Sequence, residues 1–341
     1  MVSSLTKGGL RGIKRRRKRI TLCLLLLLTI AIVSACTGTT PDQNRPSDSP
    51  KALTDCRLVQ HPLGEACVPL NPQRIVVLGA GIDTALSLGV KPVGSTEVGR
   101  KDYDYLTNKV AGVENLGHSG SPNLERITAL KPDLILGTMF NRQSYELLSQ
   151  IAPTVLDELR FGDDWKKLLS KYAEALGKAS KAEQILANYH SRIATFQAQM
   201  GKRLQQTEVS IVGIHQQDSF FIYLEDSYCG GVVADAGLPR PSVQTKFKET
   251  FNAQISDELL HKADGDVIFV WAAHPDERIY EAQTTLEELR ADPLWSKLNA
   301  VQQDKVYDVP SLWNGVGPIA ANLILDDLFK YLVDSPPQAA Q

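Results

Sequence analysis

Residues 180–201 read SKAEQILANYHSRIATFQAQMG, and the fold is decided by this stretch. Ser180 and Glu183 have the S-x-x-E spacing of a capping box, which ties off the free amides of a helix start. Ile185, Tyr189, Ile193, Phe196 and Met200 follow at spacings of four, four, three and four, placing one apolar stripe on one helix face. Gly201 supplies a stop, and Lys202 and Arg203 suit the negative end of the helix dipole. The spacing predicts a helix over about 181–200, roughly 30 Å long at ~1.5 Å per residue. Segments of α/β pattern and similar size flank it, so it reads as a stiff strut joining two lobes. The alternative is a core helix of one larger domain.

Before the strut, residues 74–78, 90–95, 133–139 and 154–159 read as strands, with helical patterns at 83–88 and 124–130. After it, strands are expected at 208–215, 219–224, 266–273 and 305–309, with helices beginning at 230, 285 and 319. Alternation of this kind predicts parallel sheets with helices on their faces. The two halves also echo each other. Glu125 precedes Asp133 by eight residues, and Glu258 precedes Asp266 by eight; each aspartate opens an apolar strand. Two glycine motifs are set aside. Gly79-Ala80-Gly81 follows a strand, but Thr84 stands where a dinucleotide fingerprint needs its third glycine, so a tight turn is expected. Gly117-His118-Ser119-Gly120-Ser121 lacks the last glycine of a nucleophile elbow and no strand precedes it, so a loop is expected.

Residues 11–19 are densely basic, 20–31 almost wholly apolar, and Val33-Ser34-Ala35-Cys36 resembles a bacterial lipobox. A basic start, a short apolar run and small residues before a cut describe an export signal over 1–35. The resemblance implies a lipidated Cys36 and an extracytoplasmic, membrane-anchored chain; an uncleaved anchor would give the same address. Residues 36–54 are rich in Thr, Pro, Ser, Asp and Asn and read as a flexible tether. Eight of the 37 basic residues precede Cys36, which leaves 29 against 39 acidic ones. A balance this acidic excludes nucleic acid as a partner. Of the five cysteines, Cys56 and Cys67 flank a turn at 61–64 and can staple a hairpin in an oxidising compartment. Cys229 then remains as a small buried hydrophobe, although a pairing of Cys229 with either one is also open. No C-x-x-C pair is present to make a cysteine zinc site.

Asn123-Leu124-Glu125-Arg126-Ile127, followed by Ala129-Leu130-Lys131-Pro132-Asp133-Leu134-Ile135, resembles the first-lobe motif of the helical-backbone substrate-binding proteins of ABC importers. Residues 165–177 and 182–193 resemble their linking segment, and Asp326-Asp327-Leu328 fits their last helix. The resemblance runs over about 69–332. It implies an α/β fold of two Rossmann-like lobes joined by one long rigid helix, with a ligand cleft between them. The implied layout is a first lobe over 55–162, a linking segment over 163–204 and a second lobe over 205–335. It implies no enzymatic activity and no intrinsic cofactor. The cargo is a ferric siderophore, with haem or cobalamin as the alternatives, and the partners are a permease and its ATPase. A monomer is expected. Glu125 and Glu258 match the glutamates that dock on permease arginines; without the resemblance they would read as solvated first-turn residues.

Ligands of open α/β sheets lie beyond the carboxyl ends of the strands. That rule selects Arg100, Tyr103, Tyr105, Phe140, Arg142, Arg160 and Phe161 in the first half. In the second it selects Tyr228, Trp271, His274, Arg278 and Trp313, with Tyr223 near a strand end. Arginine forks suit carboxylate and hydroxamate oxygens, and rings cover the apolar parts of a bulky chelate. The strongest candidates for contact are Arg142, Trp271 and Trp313, then Arg100, Tyr105, Tyr228 and Arg278. The arginines favour an acidic chelate over cobalamin. Tyr105 or His274 could serve as an axial ligand if the cargo were haem. The six histidines are scattered singly, so no direct metal site is expected. A secreted serine hydrolase built on Ser119 would need a base and an orienting acid, and no such set is present.

Overall fold

The computed structural model describes residues 56–159, 164–216, 219–247, 250–272 and 279–334. The expected signal, the tether and Cys36 lie outside the described residues, as do Arg160, Phe161, His274 and Arg278.

The chain opens with a hairpin of β1 (Cys56–His61) and β2 (Gly64–Pro69), and a disulfide joins Cys56 to Cys67. Cys229 is free and buried. The first lobe then contains β3 (Ile75–Val77), α1 (Ile82–Ser87), β4 (Gly94–Ser95), β5 (Glu114–Asn115), the small hairpin β6 (Gly117–His118) and β7 (Ser121–Pro122), and α2 (Leu124–Ala129). It ends with β8 (Leu134–Thr138), α3 (Tyr145–Ile151) and β9 (Thr154–Asp157). Its five-stranded sheet has the order β5-β4-β3-β8-β9 and every pairing is parallel. The order reverses between β3 and β8, and crevices at such switch points hold ligands.

Two helices follow, α4 (Asp164–Leu176) and α5 (Ala179–Met200). The second lobe contains β10 (Val209–Gln216), β11 (Ser219–Tyr223), α6 (Tyr228–Asp235), β12 (Asn252–Ile255) and β13 (Val267–Ala272). It closes with α7 (Ile279–Ala291), α8 (Asn299–Gln302), β14 (Val306–Asp308) and α9 (Pro318–Phe329). Its sheet, β12-β11-β10-β13-β14, is separate from the first and is mixed: β10, β13 and β14 pair parallel, and β11 pairs antiparallel with both β10 and β12. Only two residues separate β10 from β11, and a parallel crossover takes about a dozen or more.

The echo has a structural counterpart. Asp133 accepts from the amides of Gln73 and Arg74 at 2.7 and 2.8 Å, and Asp266 accepts from the Glu208 amide at 2.8 Å. In each lobe the aspartate that opens one strand caps the start of its parallel neighbour. Glu125 and Glu258 are both exposed and each follows a helix-capping residue by two positions, Asn123 and Ser256. The Ser256 hydroxyl holds the Glu258 carboxyl below its usual range.

Helix α5 departs from its expected start. Lys178 is its N-cap, and Ser180 and Glu183 lie inside the helix, so the S-x-x-E spacing caps nothing. The cause is upstream. Gly177 takes φ +67 after α4, the Lys178 amide returns to the Ala173 carbonyl at 2.7 Å, and the next helix starts at once. The stop at Gly201, with φ +54, is as expected. The buried face is Ala182, Tyr189, Ile193, Phe196 and Met200. It enters one apolar core that also takes in Val77, Leu136 and Trp165 on one side and Ile211, Phe269 and Leu325 on the other. Edge-on ring contacts to Trp165 at 5.2 Å, and from Phe196 to Phe329 at 5.3 Å, fix it to α4 and α9. The helix is therefore the spine of a shared core rather than a free rod.

A second fastening crosses the lobes. Asp83, wholly buried in α1, accepts from the amides of Ile319 and Ala320 at 2.8 and 2.9 Å, capping α9 of the other lobe. Tyr105 donates its hydroxyl to the same carboxylate at 2.9 Å. Gly317 sits against it at φ +138, where a Cβ would come within 2.5 Å of Asp83. Burial pushes the Asp83 carboxyl up to about 6, against the pull of its three donors. The unfolded value is 3.8, so between about pH 4 and 6 the folded chain keeps a proton that the unfolded chain has lost. The stabilisation this gives is complete below about pH 4 and is lost as pH rises through 6, about 3 kcal/mol in all. In urea unfolding, wild-type stability minus that of Asp83→Asn should fall by this amount across the window; a flat difference would refute it.

Candidate functional site

The segment after β4, the end of β5 and the β6–β7 hairpin form the wall of a cavity of about 390 Å³ whose lining includes Thr96, Arg100, Lys101, Asn115, His118 and Ser119. Asn141 in the turn after β8 donates to the Ser119 carbonyl at 2.7 Å and ties that turn to the hairpin. The same turn presents Phe140, which is 72% exposed, and an exposed Arg142. Arg142 makes no side-chain hydrogen bond or ion pair among the described residues.

Arg100 is differently placed. Its guanidinium meets Glu97 at 3.0 Å and Asp102 at 3.2 Å and lies over the Tyr103 ring. Lys101 pairs with Asp104 at 3.6 Å. The cations of this wall already have intramolecular partners. Ser119 donates its hydroxyl to Glu97, and His118 Nδ1 accepts from the Gly120 amide at 3.1 Å. The serine has no histidine base and sits in a β-hairpin rather than at a strand-to-helix elbow.

Four sequence-selected residues belong elsewhere. Trp271 is 1% exposed and packs on Tyr223 over Gly213, with ring centroids 5.0 Å apart. Trp313 is 0% exposed, stacks near Phe269 at 4.6 Å and donates Nε1 to Asp327 at 2.8 Å. Both are core residues, and neither offers a face to a ligand in this structure. Tyr105 is committed to Asp83, and the buried Tyr228 donates its hydroxyl to the Gly317 carbonyl. These two tyrosines brace the junction of the lobes. Arg278 lies outside the described residues. Glu97 and Asp83 were not singled out in the sequence; the position of Glu97 just beyond a strand end was the available signal.

A model of the periplasmic binding protein family matches residues 75–312. The chain belongs to that family. The chain is 34% identical over 330 residues to the probable siderophore-binding lipoprotein YfiY of Bacillus subtilis, covering 93% of this chain and 99% of that one. It is 30% identical to the Fe(3+)-citrate-binding protein YfmC of the same organism, over 85% of this chain and 89% of that one. Among solved structures it is similar to Staphylococcus aureus SirA complexed with staphyloferrin B. The TM-score is 0.74, the identity 29%, and the match covers 83% of this chain and all of that one. The two-lobe α/β fold of this chain is thus that of its relatives. Proteins of this family bind substrates rather than transform them.

Trp313→Phe removes the Nε1 donor to Asp327 without emptying the core. Denaturant unfolding should show a loss of about 1–3 kcal/mol, the cost of leaving a part-buried acceptor without its partner. Unchanged stability would show that the indole is not held as described.

Proposed function

We propose that this chain is the extracytoplasmic cargo-binding component of an ABC importer and that its cargo is a ferric siderophore with anionic oxygen arms. The observation that carries this reading is one turn, tied by Asn141 to the Ser119 carbonyl at the cavity wall, that presents an exposed Phe140 and an exposed Arg142 with no side-chain hydrogen bond or ion pair among the described residues. A guanidinium fork takes a carboxylate in a bidentate grip, and a ring covers the apolar backbone of a chelate. Relatives named for a siderophore and for ferric citrate support the class of cargo. In this reading the iron arrives already coordinated, and the protein supplies no metal ligand. Among the described residues, no three His, Cys, Asp or Glu side chains converge to hold a bare ion.

Delivery follows from the echo. Glu125 and Glu258 are exposed at matching places in the two lobes, and in this reading they pair with arginines of the permease. Cys36 carries the lipid that holds the chain at the membrane, and residues 36–54 give it reach. The disulfide at the hairpin fits an oxidising compartment. The protein acts as a monomer, each copy presenting one glutamate pair.

Two measurements test the two faces separately. Fluorescence titration with ferric citrate should show binding that Arg142→Ala weakens by about 1.5–3 kcal/mol, the range for a hydrogen bond to a charged group; an unchanged affinity would take Arg142 out of the site. Uptake of labelled iron should be abolished in the Glu125→Ala, Glu258→Ala double variant while ferric citrate affinity stays at the wild-type value. Normal uptake would rule out docking through this pair.

A further inference from the structure

The wall of the cavity contains a charge that the capture of an anionic chelate does not call for. Glu97 lies behind Arg100 with only 2% of its surface exposed. Its carboxylate accepts from the Thr96 hydroxyl at 3.2 Å, from the Ser119 hydroxyl, and from Arg100 Nη1 at 3.0 Å. Thr96 is held in turn by the Gly79 amide at 2.8 Å, at the turn that ends β3. The carboxylate is thus held by three side chains, Thr96 and Arg100 from its own segment and Ser119 from the β6–β7 hairpin. Arg100 has a second acid at its other edge, Asp102.

Resting on the ferric-chelate reading above, we propose that Glu97 is a positioning residue that sets the charge selectivity of the cleft. It aims the Arg100 guanidinium along the cavity wall and cancels its charge for a ligand in that cavity. A brace alone would not need the negative charge. Glutamine has the same length and a carbonyl that accepts from Arg100, and it avoids the desolvation cost of a buried ion. The charge acts on the cargo instead. An anionic chelate meets in Arg100 a donor whose attraction is offset by Glu97 close behind it, so shape and Arg142 decide its affinity. A neutral chelate is indifferent to the offset. The site therefore limits how strongly the charge of a chelate alone can bind it, which keeps small polyanions from occupying the cleft.

The experiment uses the mature wild-type protein and Glu97→Gln, titrated with ferric citrate and with a neutral ferric tris-hydroxamate. Removing one charge a few ångströms from a bound polyanion should tighten ferric citrate by about tenfold at low ionic strength. The gain should shrink in high salt, and the hydroxamate affinity should stay within about twofold. Asp102→Asn, at the exposed edge of the same guanidinium, should move the ratio in the same direction by a smaller factor, and it serves if Glu97→Gln does not fold. Equal changes for both chelates, or no change in either, would overturn the selectivity role and reduce Glu97 to a brace. Wild-type protein that binds neither chelate would instead strike at the binding function itself, and the inference would fall with it.

Discussion

The two lobes are held by one buried carboxylate that belongs to the first and caps a helix of the second. Asp83 accepts two amides at the start of α9 and the Tyr105 hydroxyl, with no exposure to solvent. Removing either side of such a contact leaves buried polar groups unpaired, which costs more than the net worth of the bond. The surroundings are fitted to it. Gly317 leaves no room for a side chain beside the carboxylate, and Tyr228 closes the Gly317 carbonyl. With α5 packed into an apolar core that both lobes share, the junction is fastened at two places. Wide hinge motion would break both, so the junction resists it.

The duplication of the lobes explains where the exposed glutamates stand. In each half an aspartate opens a strand and caps the neighbouring strand, which fixes the loop before it. A glutamate eight residues earlier is then held at the same place relative to its sheet. The second lobe differs in its antiparallel pair, β11 and β12, which extends the sheet at the far edge. The echo survives because it depends only on the strands at the centre of each sheet.

The parts of this molecule that were legible in the sequence are those set by periodicity. The apolar runs at 74–78, 133–139, 208–215 and 266–273 correspond to β3, β8, β10 and β13, and the stripe from Tyr189 to Met200 is buried as read. The run at 90–95 corresponds to the short β4, while the two-residue strands β5 to β7 are too short to carry a pattern, and β12 with its sequence NAQI is too polar. Ser180 and Glu183 had the right spacing for a cap, but Gly177 had already turned the chain. Which strand-end side chains face the candidate site was not legible. An aromatic residue at a strand end faces either the cleft or the core, and the sequence near Trp271 and Trp313 does not distinguish the two. Gly213 makes the space that Trp271 fills, from a strand 58 residues away. Asp83 acts through Ile319 and Ala320, distant in the chain, so no local motif announces it.

What remains is how such a cleft can hold its cargo and still give it up. A junction that resists motion leaves less ordering entropy to be lost on binding, which by itself favours tight capture. Delivery requires the opposite at the permease. A wall whose cations Arg100 and Lys101 are already paired to Glu97, Asp102 and Asp104 tempers the electrostatic gain from an anionic chelate. In the proposed reading Arg142, exposed and unpaired among the described residues, is the principal attractive charge on this side. Attraction concentrated in one exposed guanidinium is weakened by solvent and by salt, as exposed ion pairs are. Rigidity at the junction and compensation at the wall thus act in opposite directions. Their balance, rather than the number of cationic side chains near the cleft, sets the affinity.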